Sequence, residues 1–166
     1  MNILLKLKNK QMKSILIALV LFSSSCKSNK TMTKQTENKI TTQLEMSKDT
    51  FQLGETISIR FSVQNNTKTP FEFCYWHTPL EKRFTANYFE IIHKGTVLDY
   101  KGKMLKRKPA TKEDYNILKP EEKTTQSINI NDGYNLDKLG IYTICFLGRT
   151  INGLPDSEPI HFTINN

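Results

Sequence analysis

Three histidines and three cysteines are the side chains best suited to metal binding or bond making in this chain. His77, His93 and His161 stand far apart. No HExxH, no His-x-His and no carboxylate at ligand spacing accompanies them, so no local pattern encodes a zinc site. Each reads as a strand or turn histidine. The chain holds neither a GxSxG nucleophile turn nor a phosphate-cradling loop of the GxxxxGK type. Asn129-Ile130-Asn131-Asp132-Gly133 has the composition of a calcium loop but lacks its register and its distal Glu. These residues predict no metal, no cofactor and no catalytic site.

Two other features could still do something. Cys74 and Cys145 both fall in β-prone segments. If their strands are neighbours in one sheet, the two could form a cross-strand disulfide closing a long loop, worth roughly 2–4 kcal/mol. Otherwise they are separate half-buried thiols that pack as small hydrophobes. The second feature is a basic stretch: Lys101, Lys103, Lys106, Arg107, Lys108 and Lys112 occur with no acid among them. It suits an anionic partner, lipid headgroups or simply solvent. Single-stranded nucleic-acid grooves interleave aromatic residues, and this stretch has few.

The third cysteine belongs to a different context. Lys13-Ser14 precedes the apolar run Ile15-Leu16-Ile17-Ala18-Leu19-Val20-Leu21-Phe22, and Ser23-Ser24-Ser25-Cys26 follows. Basic, apolar and small residues in that order make a secretory signal. The apolar run is far shorter than the ~20 residues that a membrane-spanning helix needs. The cysteine directly after the small residues resembles a bacterial lipobox, which implies lipidation of Cys26 as the first residue of the mature chain. A plain secretory signal with a chance cysteine is the alternative. Met12-Lys13 reads as the natural start. Removing residues 1–25 takes away Lys6, Lys8, Lys10 and Lys13 and lowers the formal charge from +8 to +4. The case for nucleic acid as a partner falls with it. In such a protein the Asn65-Asn66-Thr67 sequon has little meaning as a glycosylation site.

Residues 26–39 hold one isolated Met and no aromatic residue, too little apolar surface to offset ordering entropy, and read as a flexible tether. From Ile40 the pattern becomes period two. Ile40–Met46 alternates, and Ile57, Ile59, Phe61 and Val63 alternate with Ser58, Arg60 and Ser62. Asn65 to Pro70 is a turn cluster, and Phe71 to Trp76 is another strand. Tyr88–His93 and Thr96–Tyr100 flank Lys94-Gly95, which suits a tight hairpin. Thr124–Ile130, Gly140–Phe146 and Ile160–Ile164 complete the strands. Ala110 to Leu118 has room for at most one short helical turn. About seven short strands joined by polar turns predict an all-β fold, an immunoglobulin-like antiparallel β-sandwich over residues 40–166, with a small barrel as the rival. Leu139-Gly140-Ile141-Tyr142 resembles a tyrosine corner. Cys145 follows Tyr142 by three residues, which turns it to the opposite face and excludes the immunoglobulin core disulfide.

A longer series then stands out: Trp76-His77-Thr78-Pro79-Leu80-Glu81, Tyr88-Phe89-Glu90-Ile91, Asp99-Tyr100-Lys101-Gly102, Leu105-Lys106-Arg107, Asp114-Tyr115, Leu118-Lys119-Pro120 and Gly140-Ile141-Tyr142-Thr143. From about Leu44 to Arg149 it resembles the N-terminal, non-catalytic β-domain that precedes the deuterolysin-like (peptidyl-Lys) zinc metallopeptidase domain of secreted bacterial enzymes. Nothing here matches that family's HExxH or its aspartate ligand. The resemblance implies an accessory domain standing without its peptidase. Inhibition or chaperoning of a peptidase is one implied role, with Thr78, Pro79, Leu80 and Glu81 as a candidate contact loop. A purely structural reading makes Trp76 and Leu80 core residues and Pro79 a turn former. Lys82 stands where relatives have a glycine, and Pro120-Glu121 replaces a Pro-Gly turn.

The expectation is a lipid-anchored envelope protein, on the outer membrane and facing the periplasm, acting as a non-enzymatic binding module. Its partners would be the membrane, through the lipid on Cys26, and a secreted or envelope peptidase. A structural spacer with no ligand is the competing reading, and an enzyme with an unfamiliar site is a third.

Overall fold

The computed structural model describes residues 39–166, so the signal, Cys26 and nearly all of the tether lie outside the described residues. Ten strands form among the described residues: β1 (Ile40–Met46), β2 (Thr50–Gln52), β3 (Ser58–Asn65), β4 (Phe71–Cys74), β5 (Phe89–His93), β6 (Thr96–Val97), β7 (Tyr115–Leu118), β8 (Lys123–Asn129), β9 (Gly140–Phe146) and β10 (Ile160–Asn165). The expected all-β sandwich is what they build. One sheet has the order β1-β3-β8 and is antiparallel throughout. The other has the order β2-β10-β9-β5-β6, with β2 parallel to β10. A small ladder, β4-β7, continues from the β3 and β8 strands.

The period-two pattern explains the layers. Ile59, Phe61 and Val63 are fully buried while Ser58 and Arg60 are exposed. Tyr142, Ile144 and Phe146 do the same on β9. The two inner faces meet where Phe61 packs on Phe146, ring centroids 4.6 Å apart. Burying such a side chain contributes ~1.5–3 kcal/mol, so this aromatic seam carries much of the sandwich. Phe84 extends it, stacked on Tyr88 at 5.1 Å and edge-on to Tyr134. Gly133 allows that packing, since a Cβ there would come within 2.9 Å of the Phe84 ring.

The turns follow their sequences. Lys94 and Gly95 both have positive φ, 48° and 77°, and His93 pairs with Thr96 across them. That is the two-residue hairpin turn whose twist matches the strands. The tyrosine corner is present: Tyr142 Oη donates to Lys138 O at 2.8 Å. Cys145 points away from Tyr142, toward the less buried face of β9.

Four expectations need correction. The strand after Lys94-Gly95 is only Thr96–Val97. The one short helical turn allowed within Ala110–Leu118 is present at Lys112–Asp114, but Tyr115–Leu118 is a strand that was not expected. Its two large apolar residues Tyr115 and Ile117 are exposed and only Leu118 is buried, so alternation left little trace of it. The short β2 was not expected. It forms because the chain crosses between sheets after Met46 and its backbone then completes the β10 edge, Leu53 N donating to Asn165 O at 2.8 Å. Lastly, Cys74 and Cys145 are both free. Cys74 lies on β4, which pairs only with β7, while Cys145 lies on β9 between β5 and β10. The adjacency that the disulfide required does not exist.

Asn65 explains the turn cluster better than any sequon does. It is fully buried at the end of β3. Its Nδ2 donates to Thr69 O, Leu118 O and Lys119 O at 2.8–3.1 Å. Its Oδ1 accepts from Thr67 N and Thr67 Oγ1 at 2.9 and 2.7 Å. One amide thus ties the β3–β4 turn to the β7–β8 turn, and no glycan could be attached to it.

Candidate functional site

The polar groups that converge most tightly lie just beyond β4. The chain leaves the ladder at Cys74 and turns through His77, whose φ is +56°. Thr78 then caps a 3-10 turn, Pro79–Glu81. The Thr78 hydroxyl donates to Tyr75 O at 2.6 Å and accepts from Leu80 N at 3.2 Å. Proline at the first helical position has the φ that the turn needs. Lys82 closes the turn with φ +64°, its N–H donating to Pro79 O at 2.8 Å.

This turn aims Glu81 inward. Its Oε2 accepts from His77 N at 2.9 Å and from the Thr85 hydroxyl. Its Oε1 is bound by the Arg107 guanidinium. The Glu81 side chain is only 5% exposed and that of Arg107 22%. Arg107 also lies over the Trp76 ring, 4.5 Å from its centroid, a cation–π contact. Trp76 Nε1 and Arg107 Nε are buried without a hydrogen-bond partner. The Trp76 indole nonetheless lies near enough to Asp114 to favour its ionised form.

Asp114 is held below the usual carboxylate range, chiefly by the Thr111 N–H, which donates at 2.9 Å, and further by the Thr111 hydroxyl, Trp76 and Tyr75. Burial pushes Tyr75 up, and the Asp114 charge adds to it. Burial likewise raises the Cys74 thiol, with Asp114 and Glu81 adding to the effect. A thiol held in its neutral form is a poor nucleophile. Every Glu81 oxygen is occupied by an internal donor. The arrangement fixes a loop and offers no free base at Glu81.

The candidate contact loop is therefore corrected. Thr78 and Pro79 are buried, Leu80 packs against the core, and Glu81 faces inward. The segment organises its neighbours and presents little to a partner. The basic stretch divides as well. Lys101, Lys103, Lys106 and Lys108 are exposed, whereas Arg107 is the one member turned inward. Sequence offered no sign of this, since Arg107 sits between two lysines and is as charged as they are. The one available cue was residue type: Arg alone has the flat fork that grips a carboxylate while stacking on an indole.

The histidines remain dispersed. His77 N–H serves Glu81. His161 Nδ1 lies 2.9 Å from the Thr143 hydroxyl on the outer face of β9 and β10. His93 stacks on Tyr142 at 4.4 Å, with Nε2 3.1 Å from Leu139 O. It borders a shallow cleft of about 680 Å³ lined also by Lys94, Asp99, Lys101, Asp137 and Lys138. The opposing charges there favour no one ligand class. Among the described residues no three His, Cys, Asp or Glu side chains group as a metal site.

Fold and site together define an all-β sandwich with a polar hub built around the Glu81–Arg107 pair. No family model matches the chain. It is similar to an extracellular protease of Aeromonas hydrophila, 24% identical over 95 residues, which is 57% of this chain and 27% of that protein. The chain thus spans about a quarter of that relative's length. Only 38 residues precede the β-domain, so most of the matched residues lie within it. Among solved structures, a β-glucosidase from Listeria innocua bound to glucose aligns with 76% of this chain and 16% of its own, at TM-score 0.39 and 8% identity. The same enzyme bound to gluconolactone aligns at TM-score 0.35 and 8% identity. Likeness at that level carries no argument about this protein.

Proposed function

We propose that this protein is a lipid-anchored, non-enzymatic envelope protein whose immunoglobulin-like domain binds and regulates a secreted or envelope peptidase. The similarity to an extracellular protease over 95 residues carries this reading. Most of the matched residues lie in a β-domain whose Glu81 oxygens are all taken by its own loops, which fits an accessory role better than a catalytic one. Lipidation at Cys26 rests on the order of basic, apolar and small residues before it. The residues that follow Cys26 are lysine-containing and hold no aspartate next to it, which by resemblance to known lipoprotein sorting signals favours the outer membrane, with the domain facing the periplasm. The contact surface is no longer Thr78–Glu81. The free edge of β7, with Tyr115 and Ile117 exposed, is the better-suited face, because an unpaired edge can accept an extended segment of a partner.

The test is biochemical. Crosslinking in intact envelopes followed by affinity capture should recover a peptidase, and adding the purified protein should change that peptidase's rate. Zinc-dependent peptide hydrolysis by the purified protein alone would overturn the assignment. So would the absence of any crosslinked peptidase.

A further inference from the structure

We propose that the Lys101–Lys112 segment is a membrane-facing loop that binds the headgroups of anionic phospholipids. Charge distribution is the first ground. The segment carries six basic residues and no acid, whereas the rest of residues 39–166 carries eleven basic and fifteen acidic residues. A domain that is otherwise net negative presents one concentrated positive strip.

Preorganisation is the second. The segment has almost no regular structure before Lys112, yet it is pinned along its length. Lys101 N donates to Gly133 O at 2.7 Å, and Leu105 N to Thr85 O at 2.9 Å. The Tyr100 hydroxyl donates to Lys103 O at 2.8 Å. Arg107 is bound by Glu81 and stacked on Trp76. Backbone and Arg107 hold the strip down while Lys101, Lys103, Lys106 and Lys108 face solvent, with no ion pair among the described residues. A backbone already held in place loses less entropy when its lysines meet a charged surface.

The third ground identifies the partner. Met104 is 69% exposed and Leu105 42%, and they stand between Lys103 and Lys106. An apolar tip flanked by ammonium groups suits a bilayer boundary, where the methylenes enter the headgroup layer and the charges stay at the phosphates. An acidic protein would match the lysines but has no particular use for an exposed Met104. The setting rests on the lipid-anchored reading above. There, the covalent reach of residues 27–39 limits the domain to at most roughly 45 Å from the bilayer, and a basic patch supplies the second attachment that one acyl chain needs.

The test uses the full chain carrying Cys26→Ser, so that no lipid is attached, with and without Lys103→Gln, Lys106→Gln and Lys108→Gln together. Residues 1–25 are common to both. Vesicles are phosphatidylcholine alone or mixed with phosphatidylglycerol. The parent should prefer the anionic vesicles in a salt-sensitive way, and the triple variant should lose on the order of a hundredfold in that affinity. Met104→Trp should show blue-shifted emission on anionic vesicles only, against the buried Trp76 background. Equal binding by the triple variant overturns the proposal. So does unshifted emission from bound protein, or lysine-dependent binding to polyglutamate without binding to phosphatidylglycerol. Lipid labelling at Cys26 is read separately in cells, so loss of the anchor and loss of the loop contact are distinguishable.

Discussion

Arg107 reaches back across 26 residues to close on the Glu81 carboxylate, its guanidinium carbon 4.5 Å over the centroid of the Trp76 ring. The pair joins the 3-10 turn after β4 to the basic strip. Breaking a buried pair leaves one charge unpaired, which costs ~3–5 kcal/mol. Arg107→Gln should lower stability by about 3 kcal/mol in urea unfolding. Arg107→Lys should recover only part of that loss, because an ammonium cannot both fork and stack. A loss below about 0.5 kcal/mol would show that the pair does not hold the loop.

Lys82 and Glu121 adopt φ of +64° and +63°. These are the positions where the resemblance leads one to expect glycine. Both positions take the left-handed geometry with a side chain that adopts it less freely than glycine would. For a side chain bearing a Cβ this costs roughly 1–2 kcal/mol, partly offset by the unfolded-state freedom of glycine. Lys82→Gly and Glu121→Gly should each raise stability by about 0.5–1 kcal/mol. Differential scanning calorimetry would show a higher midpoint, and a lower one would refute the strain.

Asn65 satisfies carbonyls from two turns at once. Asn65→Ala should leave them unpaired and cost about 2–3 kcal/mol. Asn65→Asp should be no better, since a carboxylate cannot donate to Leu118 O. Hydrogen exchange should quicken first in residues 66–70 and 118–122.

Asp114 has its folded-state pKa depressed, chiefly by the Thr111 N–H. Its contribution is therefore complete above the unfolded-state value of about 3.9 and fades as pH falls through the folded one. Urea midpoints should drop between about pH 5 and pH 2, and Asp114→Asn should flatten that drop. An unchanged acid profile in the variant would reject the role.

Both thiols have raised pKa values because burial disfavours the thiolate. An aromatic disulfide reagent at neutral pH should label partly exposed Cys145 slowly and fully buried Cys74 only on unfolding. Mass spectrometry of non-reduced peptides should show no link between them. A Cys74–Cys145 peptide would contradict the strand placement.

Much of the sandwich could be read from residue order. The alternation in Ile57–Val63 and Gly140–Phe146 places one face inward whatever the partner strand, since successive side chains in a strand point to opposite faces. Lys94-Gly95 dictates its turn through the φ values it accepts, and the tyrosine corner follows from Gly140 and Tyr142 at their spacing. The β7 strand was not readable, because Tyr115 and Ile117 are exposed and leave no one-sided pattern.

The site was legible only in part. The expectation of a lipidated Cys26 rests on its neighbours in sequence alone and lies outside the described residues. Glu81, Trp76 and Arg107 were all visible as residues, but nothing local says that they meet. Their contact depends on where a turn after β4 and an irregular strip before β7 are laid down by the core beneath them. The same holds for Cys74 and Cys145, whose separation is a matter of strand order. Local pattern sets which way a side chain faces; only the packing of the two sheets, through non-local burial, sets what it faces.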